Sequence, residues 1–309
     1  MQKKNINFDE QIDEKPAGSA EGAPGRFSQR TPGRFSLADQ FLSTFSLVCR
    51  IPLPFPFTFT ACRLDLWLPV TALFQSFVFA LGLGLFWPLF LDRNIALVAA
   101  LILLYACFNL FHFDGLLDTA DAFLGAFDRE KRFAILKDSR IGVYGTFTAL
   151  MYIALKVMLL SSLLGHVPFI ALSLIIFPLA GKTAAALIPA IFPPAKKEGL
   201  GALAAGSRIH FVLAGFFLTL CIYIVIALLI GFVGSVPIQA PSLERLFVTM
   251  GLPSMVLIIS ALVSSSFPGR LYTKRLGGYT GDTLGAAVEL GELLYLLGLF
   301  LLVQWGVIV

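Results

Sequence analysis

Seven long apolar stretches constrain this chain most: residues 66–91, 95–113, 146–164, 168–193, 210–236, 247–267 and 284–308. A helix needs about 20 apolar residues to cross a bilayer. In lipid the backbone has no water to bond, so a run of that length must close its own hydrogen bonds, and helix is the form that does so within one segment. The expected fold class is all-α: a polytopic transmembrane helical bundle of about seven spans. Composition agrees. The chain is 57% hydrophobic and 14% charged, against about 25% charged in an ordinary soluble domain.

The placement of Lys and Arg tests the count. With the N-terminus inside, the inner segments are 1–65, 114–145, 194–209 and 268–283, and they carry 19 of the 23 basic residues. The outer loops keep Arg93 and Arg245, while Lys156 and Lys182 fall inside spans. That bias is the positive-inside pattern. An even number of spans would put one polar motif on the far side, so seven is preferred.

Ahead of the spans, residues 1–35 are polar, with Pro-Gly-Arg-Phe-Ser at Pro24 and again at Pro32. They read as a disordered basic arm without a secretory signal, and 36–309 as a single transmembrane catalytic domain. Residues 37–48 read as an amphipathic helix lying at the interface. Arg50-Ile51-Pro52-Leu53-Pro54 stops it, because proline removes a donor. Cys49, Cys62, Cys107 and Cys221 show no metal-binding spacing and read as reduced apolar fillers.

The chemistry concentrates after the second span. Asp114, Asp118 and Asp121 lie at i, i+4 and i+7, one face of a helix. Stacked carboxylates repel, and a divalent cation offsets the repulsion. Mg²⁺ takes oxygen ligands and bridges to phosphate. Lys137-Asp138-Ser139-Arg140-Ile141-Gly142 follows. There Asp138 is a further metal ligand or the base that takes a proton from an attacking hydroxyl, and Lys137 and Arg140 neutralise phosphate oxygens. A basic loop with a local ion pair explains the same residues equally well.

Three more features join them. Lys196-Lys197-Glu198-Gly199-Leu200-Gly201 and the glycine-rich stretch Gly277–Gly285, containing Gly278 and Asp282, are expected on the same inner face. Glycines permit close backbone approach and a helix start attracts anions; capping of span seven by Asp282 is the plainer account. His112 stands beside Asp114 at the water boundary. Lys182, Glu289 and Glu292 are ionisable groups within spans, where a polar role is the default expectation. They contact substrate phosphate, pair with one another or with Lys156, or line a polar cavity. Carboxylates at a helix end, and not at mid-membrane, argue against a transporter. A membrane prenyltransferase or a CDP-alcohol phosphotransferase shares the metal logic, but their asparagine-aspartate and D-G-x-x-A-R openings are absent.

The residues His112–Asp121, followed by Lys137–Gly142, closely resemble the cobalamin synthase (adenosylcobinamide-GDP ribazoletransferase) family. Arg50–Pro54, Glu198–Gly201 and Leu276–Gly285, with Glu289 and Glu292 after them, resemble further elements of it in the same order. The resemblance covers about residues 37–305. It departs at Ala106–Phe111, at Ala122 and at Pro69–Phe74, where the family is richer in glycine. The resemblance implies a Mg²⁺-dependent enzyme that joins adenosylcobinamide-GDP to α-ribazole or its 5′-phosphate and releases GMP. It implies Asp114, Asp118, Asp121 and Asp138 as catalytic metal ligands, and His112, Lys137, Arg140, Lys182, Gly278, Asp282, Glu289 and Glu292 as substrate-binding residues. The implied setting is the cytoplasmic face of a bacterial inner membrane, with the lipid bilayer as partner, no nucleic acid, and room for a homo-oligomer.

Overall fold

A computed structural model describes residues 35–166, 173–233 and 247–308; the arm expected at 1–35 lies outside them apart from Phe35. Every named element among the described residues is a helix. Helix α1 (Leu37–Val48) is followed by α2 (Leu64–Phe90), α3 (Arg93–Leu104), α4 (Leu110–Gly125), α5 (Arg129–Lys137) and α6 (Val143–Leu163). Then come α7 (Phe177–Ile191), the single turn α8 (Leu200–Leu203), α9 (Ile209–Val233), α10 (Leu252–Leu276) and α11 (Gly281–Gln304). Among the described residues six helices are long and apolar enough to cross a bilayer, and the α3–α4 pair forms a seventh if counted as one bent span. Large apolar side chains such as Phe147, Leu150 and Met158 of α6 face outward, as a lipid-facing wall requires.

One local expectation needs correction. The span expected at 95–113 is not straight. A π-helical turn at Tyr105–Asn109 separates α3 from α4, and their axes differ by 89°. A π turn changes the hydrogen-bond ladder and is a recognised cause of kinks. Here the Cys107 carbonyl accepts the Arg50 N–H at 2.8 Å, so the proline-rich segment after α1 is tied to the bend. Helix α1 forms over the residues expected, and its buried stripe is Gln40, Ser43, Thr44 and Val48, mostly polar. The hydroxyls satisfy themselves: Ser43 Oγ donates to Asp39 O at 2.6 Å and accepts Thr60 N–H at 2.9 Å, and Thr44 Oγ1 donates to Gln40 O at 3.0 Å.

Small residues bring the central helices together. A Cβ on Gly181 of α7 would collide with the Val288 carbonyl of α11, and one on Gly291 would lie 2.9 Å from Gly181 Cα. A Cβ on Gly115 of α4 would lie 2.5 Å from the Asp282 carbonyl, and one on Gly285 would lie 3.0 Å from His112 Cα. In a membrane such close backbone approach replaces the hydrophobic drive between helices. The result is that α4 and α7 both lie against α11, and α11 carries its N-terminal turn into the polar end of the bundle.

Candidate functional site

The loops at that end are held to one another by backbone contacts. Residues 193–195 and 279 form a short parallel bridge, with Ala195 N–H to Tyr279 O at 2.8 Å and Tyr279 N–H to Pro193 O at 3.1 Å. A Cβ at Gly278 would strike the Pro193 carbonyl, so glycine is required there. Gly277 closes α10 in the left-handed region at φ +86°. A Cβ on Gly201 would lie 3.0 Å from Gly281 N, which places the Glu198–Gly201 element on the first turn of α11. Lys196 Nζ sits 4.7 Å from the Phe133 ring centroid of α5. The three polar segments therefore share one end of the bundle.

Within this end the carboxylates have different fates. Asp114 is exposed and Asp118 half-buried, one turn apart on α4. Asp282 is mostly buried in the first turn of α11, and feels the negative charge of Asp114 and the positive charge of Lys196. The N-cap of α11 is Thr280, not Asp282: its Oγ1 accepts the Thr283 N–H at 3.3 Å, and Thr283 Oγ1 accepts the Thr280 N–H at 2.7 Å. Burial, and then the charge of Lys137, hold the Lys196 ammonium below its ordinary range. The charges of Lys196 and Lys137 are close enough to repel each other.

The predicted four-carboxylate ligand set is not assembled. Among the described residues no three His, Cys, Asp or Glu side chains stand close enough to hold one metal ion. Asp121 is buried, and its oxygens accept the Gly142 N–H at 2.7 Å and the Gly145 N–H at 2.8 Å. It caps α6 from another helix, and the N-terminal dipole of α6 offsets its charge. Asp138 is gripped by Arg140, whose Nη2 lies 2.6 Å from Oδ2 and whose Nε lies 3.0 Å from both oxygens. Those charge-assisted bonds hold its carboxyl down at about 2, which makes it a poor proton acceptor near neutrality.

Deeper in the bundle lies a second polar group. Lys182 of α7 is fully buried and its Nζ is 3.1 Å from His112 Nδ1. Glu289 and Glu292 are also fully buried, and Lys156 of α6 stands between them, 3.5 Å from Glu289 Oε2 and 2.6 Å from Glu292 Oε2. Tyr105 donates to Glu289 at 2.7 Å and Tyr152 donates to the same oxygen. Of the open readings for the two glutamates, pairing with Lys156 is the one realised. A charge in a low-dielectric interior needs such a partner.

Sequence reasoning missed Tyr105, Tyr152 and Arg132. Tyr152 stands four residues before Lys156 on α6, a spacing that signals one face. Tyr105 reaches the cluster through the π turn, for which the sequence carries no signal. Arg132 falls in a charged run that reads as solvated. It is instead 3% exposed, packed 5.5 Å over the Phe123 ring, with its Nε lacking a hydrogen-bond partner.

Fold and site together define a polytopic helical membrane protein with carboxylates, lysines and glycine-bound loops gathered at one end of the bundle. The chain belongs to the cobalamin-5-phosphate synthase family, whose sequence profile matches residues 40–300, and it is a transferase of cobalamin biosynthesis. It is 31% identical over 273 residues to the adenosylcobinamide-GDP ribazoletransferase of Shewanella amazonensis (strain ATCC BAA-1098 / SB2B), covering 85% of this chain and 95% of that protein. No solved structure matches the chain.

Proposed function

We propose that this protein joins adenosylcobinamide-GDP to α-ribazole or its 5′-phosphate, releasing GMP, in a Mg²⁺-dependent reaction at the cytoplasmic face of a bacterial inner membrane. The observation that carries the reading is the meeting of α4 and α11. Gly115 lets the Asp114 turn lie on the Asp282 backbone, next to Lys196 and the glycine-bound loops. Bond changes are simple. A hydroxyl oxygen of the acceptor ribose forms a P–O bond to the phosphorus on the cobinamide side. The bridging P–O bond breaks, GMP leaves with the electron pair, and the proton of the attacking hydroxyl passes to solvent.

Positioning and charge neutralisation supply most of the catalysis in such transfers. The positive charges of Lys196 and Lys137 oppose the charge of the diphosphate. Mg²⁺ is commonly held by only one or two carboxylates together with phosphate and water. Asp114 and Asp282, with Asp118 one turn along, fit that donor set; Asp121 and Asp138 do not, because their oxygens are committed to the α6 N-terminus and to Arg140. When bound, the ion supplies neutralisation of the phosphate oxygens. The cytoplasmic assignment is supported by the 19 basic residues on the inner segments.

The test incubates purified full-length protein in detergent with Mg²⁺, adenosylcobinamide-GDP and α-ribazole. Stoichiometric GMP and adenosylcobalamin are expected, and loss of both with Asp114→Asn. Folded protein that releases no GMP refutes the proposal.

A further inference from the structure

The C-terminal half of α10 carries two unlike properties along one stripe. Ile259, Val263 and Phe267 face outward, 56%, 48% and 72% exposed. Arg270 and Lys274 follow, both exposed. At 3.6 residues per turn the five lie within about 80° of arc. An apolar strip that fronts lipid therefore runs directly into two cations at the polar end of the bundle.

Two more cations stand beside them. Arg275 is exposed in the last turn of α10. A Cβ on Gly277, which closes that helix, would lie 2.9 Å from Arg129 Nη2. Helix α5 thus brings Arg129 to the same helix end, where its guanidinium also lies 5.5 Å over the Phe133 ring. The carbonyl end of α10 favours cations there, but no carboxylate pairs with them. Among the described residues none of the four is in an ion pair, whereas Lys131 is paired with Asp128 and Arg140 with Asp138. Even with Glu130, the neighbour of Arg129 in sequence, counted against them, the four leave an excess of positive charge.

Unpaired cations at the end of a lipid-facing strip match a molecule that is anionic at one end and apolar along the rest. An anionic phospholipid has that form: its phosphate sits at the interface and its chains run into the hydrocarbon. A zwitterionic phospholipid has the same chains but carries its own compensating ammonium. Free phosphate has the charge and gains nothing from Phe267. We infer that the C-terminal end of α10, with Arg129 of α5, is a docking site for the headgroup of an anionic phospholipid whose chain lies along Phe267, Val263 and Ile259. Gly277 and Gly278 join this end to the first turn of α11, so the bound lipid holds at the membrane surface the segment that leads into the polar loops.

Native mass spectrometry of the purified full-length protein in detergent, titrated with phosphatidylglycerol, tests this without requiring turnover. Phosphatidylglycerol binds ahead of phosphatidylcholine of the same chain length, and inorganic phosphate does not displace it. Each cation near an anionic headgroup contributes about fivefold in affinity. Arg270→Gln combined with Lys274→Gln therefore weakens phosphatidylglycerol binding by about 20-fold. Lys131→Gln removes a cation already paired with Asp128 and changes binding by less than about twofold. Should the double variant fail to fold because it also strips charge from the end of the α10 dipole, Arg129→Gln on α5 decides, with a loss of about fivefold. Equal binding of phosphatidylcholine, displacement by inorganic phosphate, or unchanged affinity in a folded variant overturns the inference. So does a loss with Lys131→Gln as large as that with Arg129→Gln, which would mean diffuse attraction and not a site.

Discussion

Replacing Lys156 by Met removes the cation that is bonded to Glu292 and adjoins Glu289. Lys156 Nζ lies 2.6 Å from Glu292 and 3.5 Å from Glu289, and all three side chains are at most 1% exposed. With an effective dielectric of about 20, those separations correspond to attractions of about 6 and about 5 kcal/mol. The full sum is not lost, because a stranded carboxylate takes up a proton. Protonating a carboxyl of ordinary pKa at pH 7 costs about 4 kcal/mol, which limits the penalty for each acid and agrees with the ~3–5 kcal/mol typical of breaking a buried pair. Removing one acid as well, in Lys156→Met with Glu292→Gln, restores charge balance more closely. Glu289 keeps its bonds from Tyr105 and Tyr152, so the double variant recovers about 2 kcal/mol as coupling energy. Chemical unfolding of the detergent-solubilised protein, followed by tryptophan fluorescence, measures all three. A single variant within about 0.5 kcal/mol of wild type, or a double variant no better than the single, refutes the buried-cluster reasoning.

Other outcomes follow from the loop end. Asp121→Ala leaves the Gly142 and Gly145 N–H groups without their acceptor and destabilises the protein by about 2 kcal/mol or more, with faster amide exchange at Gly145 as the specific sign; exchange equal to wild type counts against the cap. Gly115→Ala puts a Cβ 2.5 Å from the Asp282 carbonyl, separates α4 from α11 and lowers kcat at least tenfold; full activity contradicts the meeting of the two helices as the basis of the site. Because Arg140 holds Asp138 at about 2, below its usual 3.8, their contact stabilises the loop fully above about pH 4 and loses that contribution as pH falls toward 2. The stability difference between wild type and Arg140→Ala is therefore flat from about pH 5 to 8 and shrinks in acid; a difference that grows in acid has the wrong sign. Leu200→Cys, in a variant without the native cysteines, resists impermeant thiol reagents added outside intact cells, and ready labelling reverses the proposed orientation.

Much of the helix plan was readable because membrane helices announce themselves one segment at a time. The limits of α1 fall where Ser36 can cap and Pro52 cannot continue. Asp114 and Asp118 were readable as a pair on one face for the same local reason. Asp121 has the same spacing, yet α6 claims both its oxygens, and Gly142 and Gly145 are 21 and 24 residues away. Asp138 is held by Arg140, two residues along, which folds back on it. The break at Tyr105–Asn109 was invisible because its carbonyl partner, the Arg50 N–H, comes from a distant loop.

Apolar run length and the distribution of Lys and Arg, properties of the chain taken segment by segment, determined an all-helical membrane bundle and the set of polar motifs it carries. Only the tertiary structure decided which charges are spent inside the protein and which stand open at its end. The reason is that a buried charge is stable only beside a compensating partner. For Asp121, Lys156, Glu289 and Glu292 that partner is supplied by another helix, at a distance no local spacing encodes.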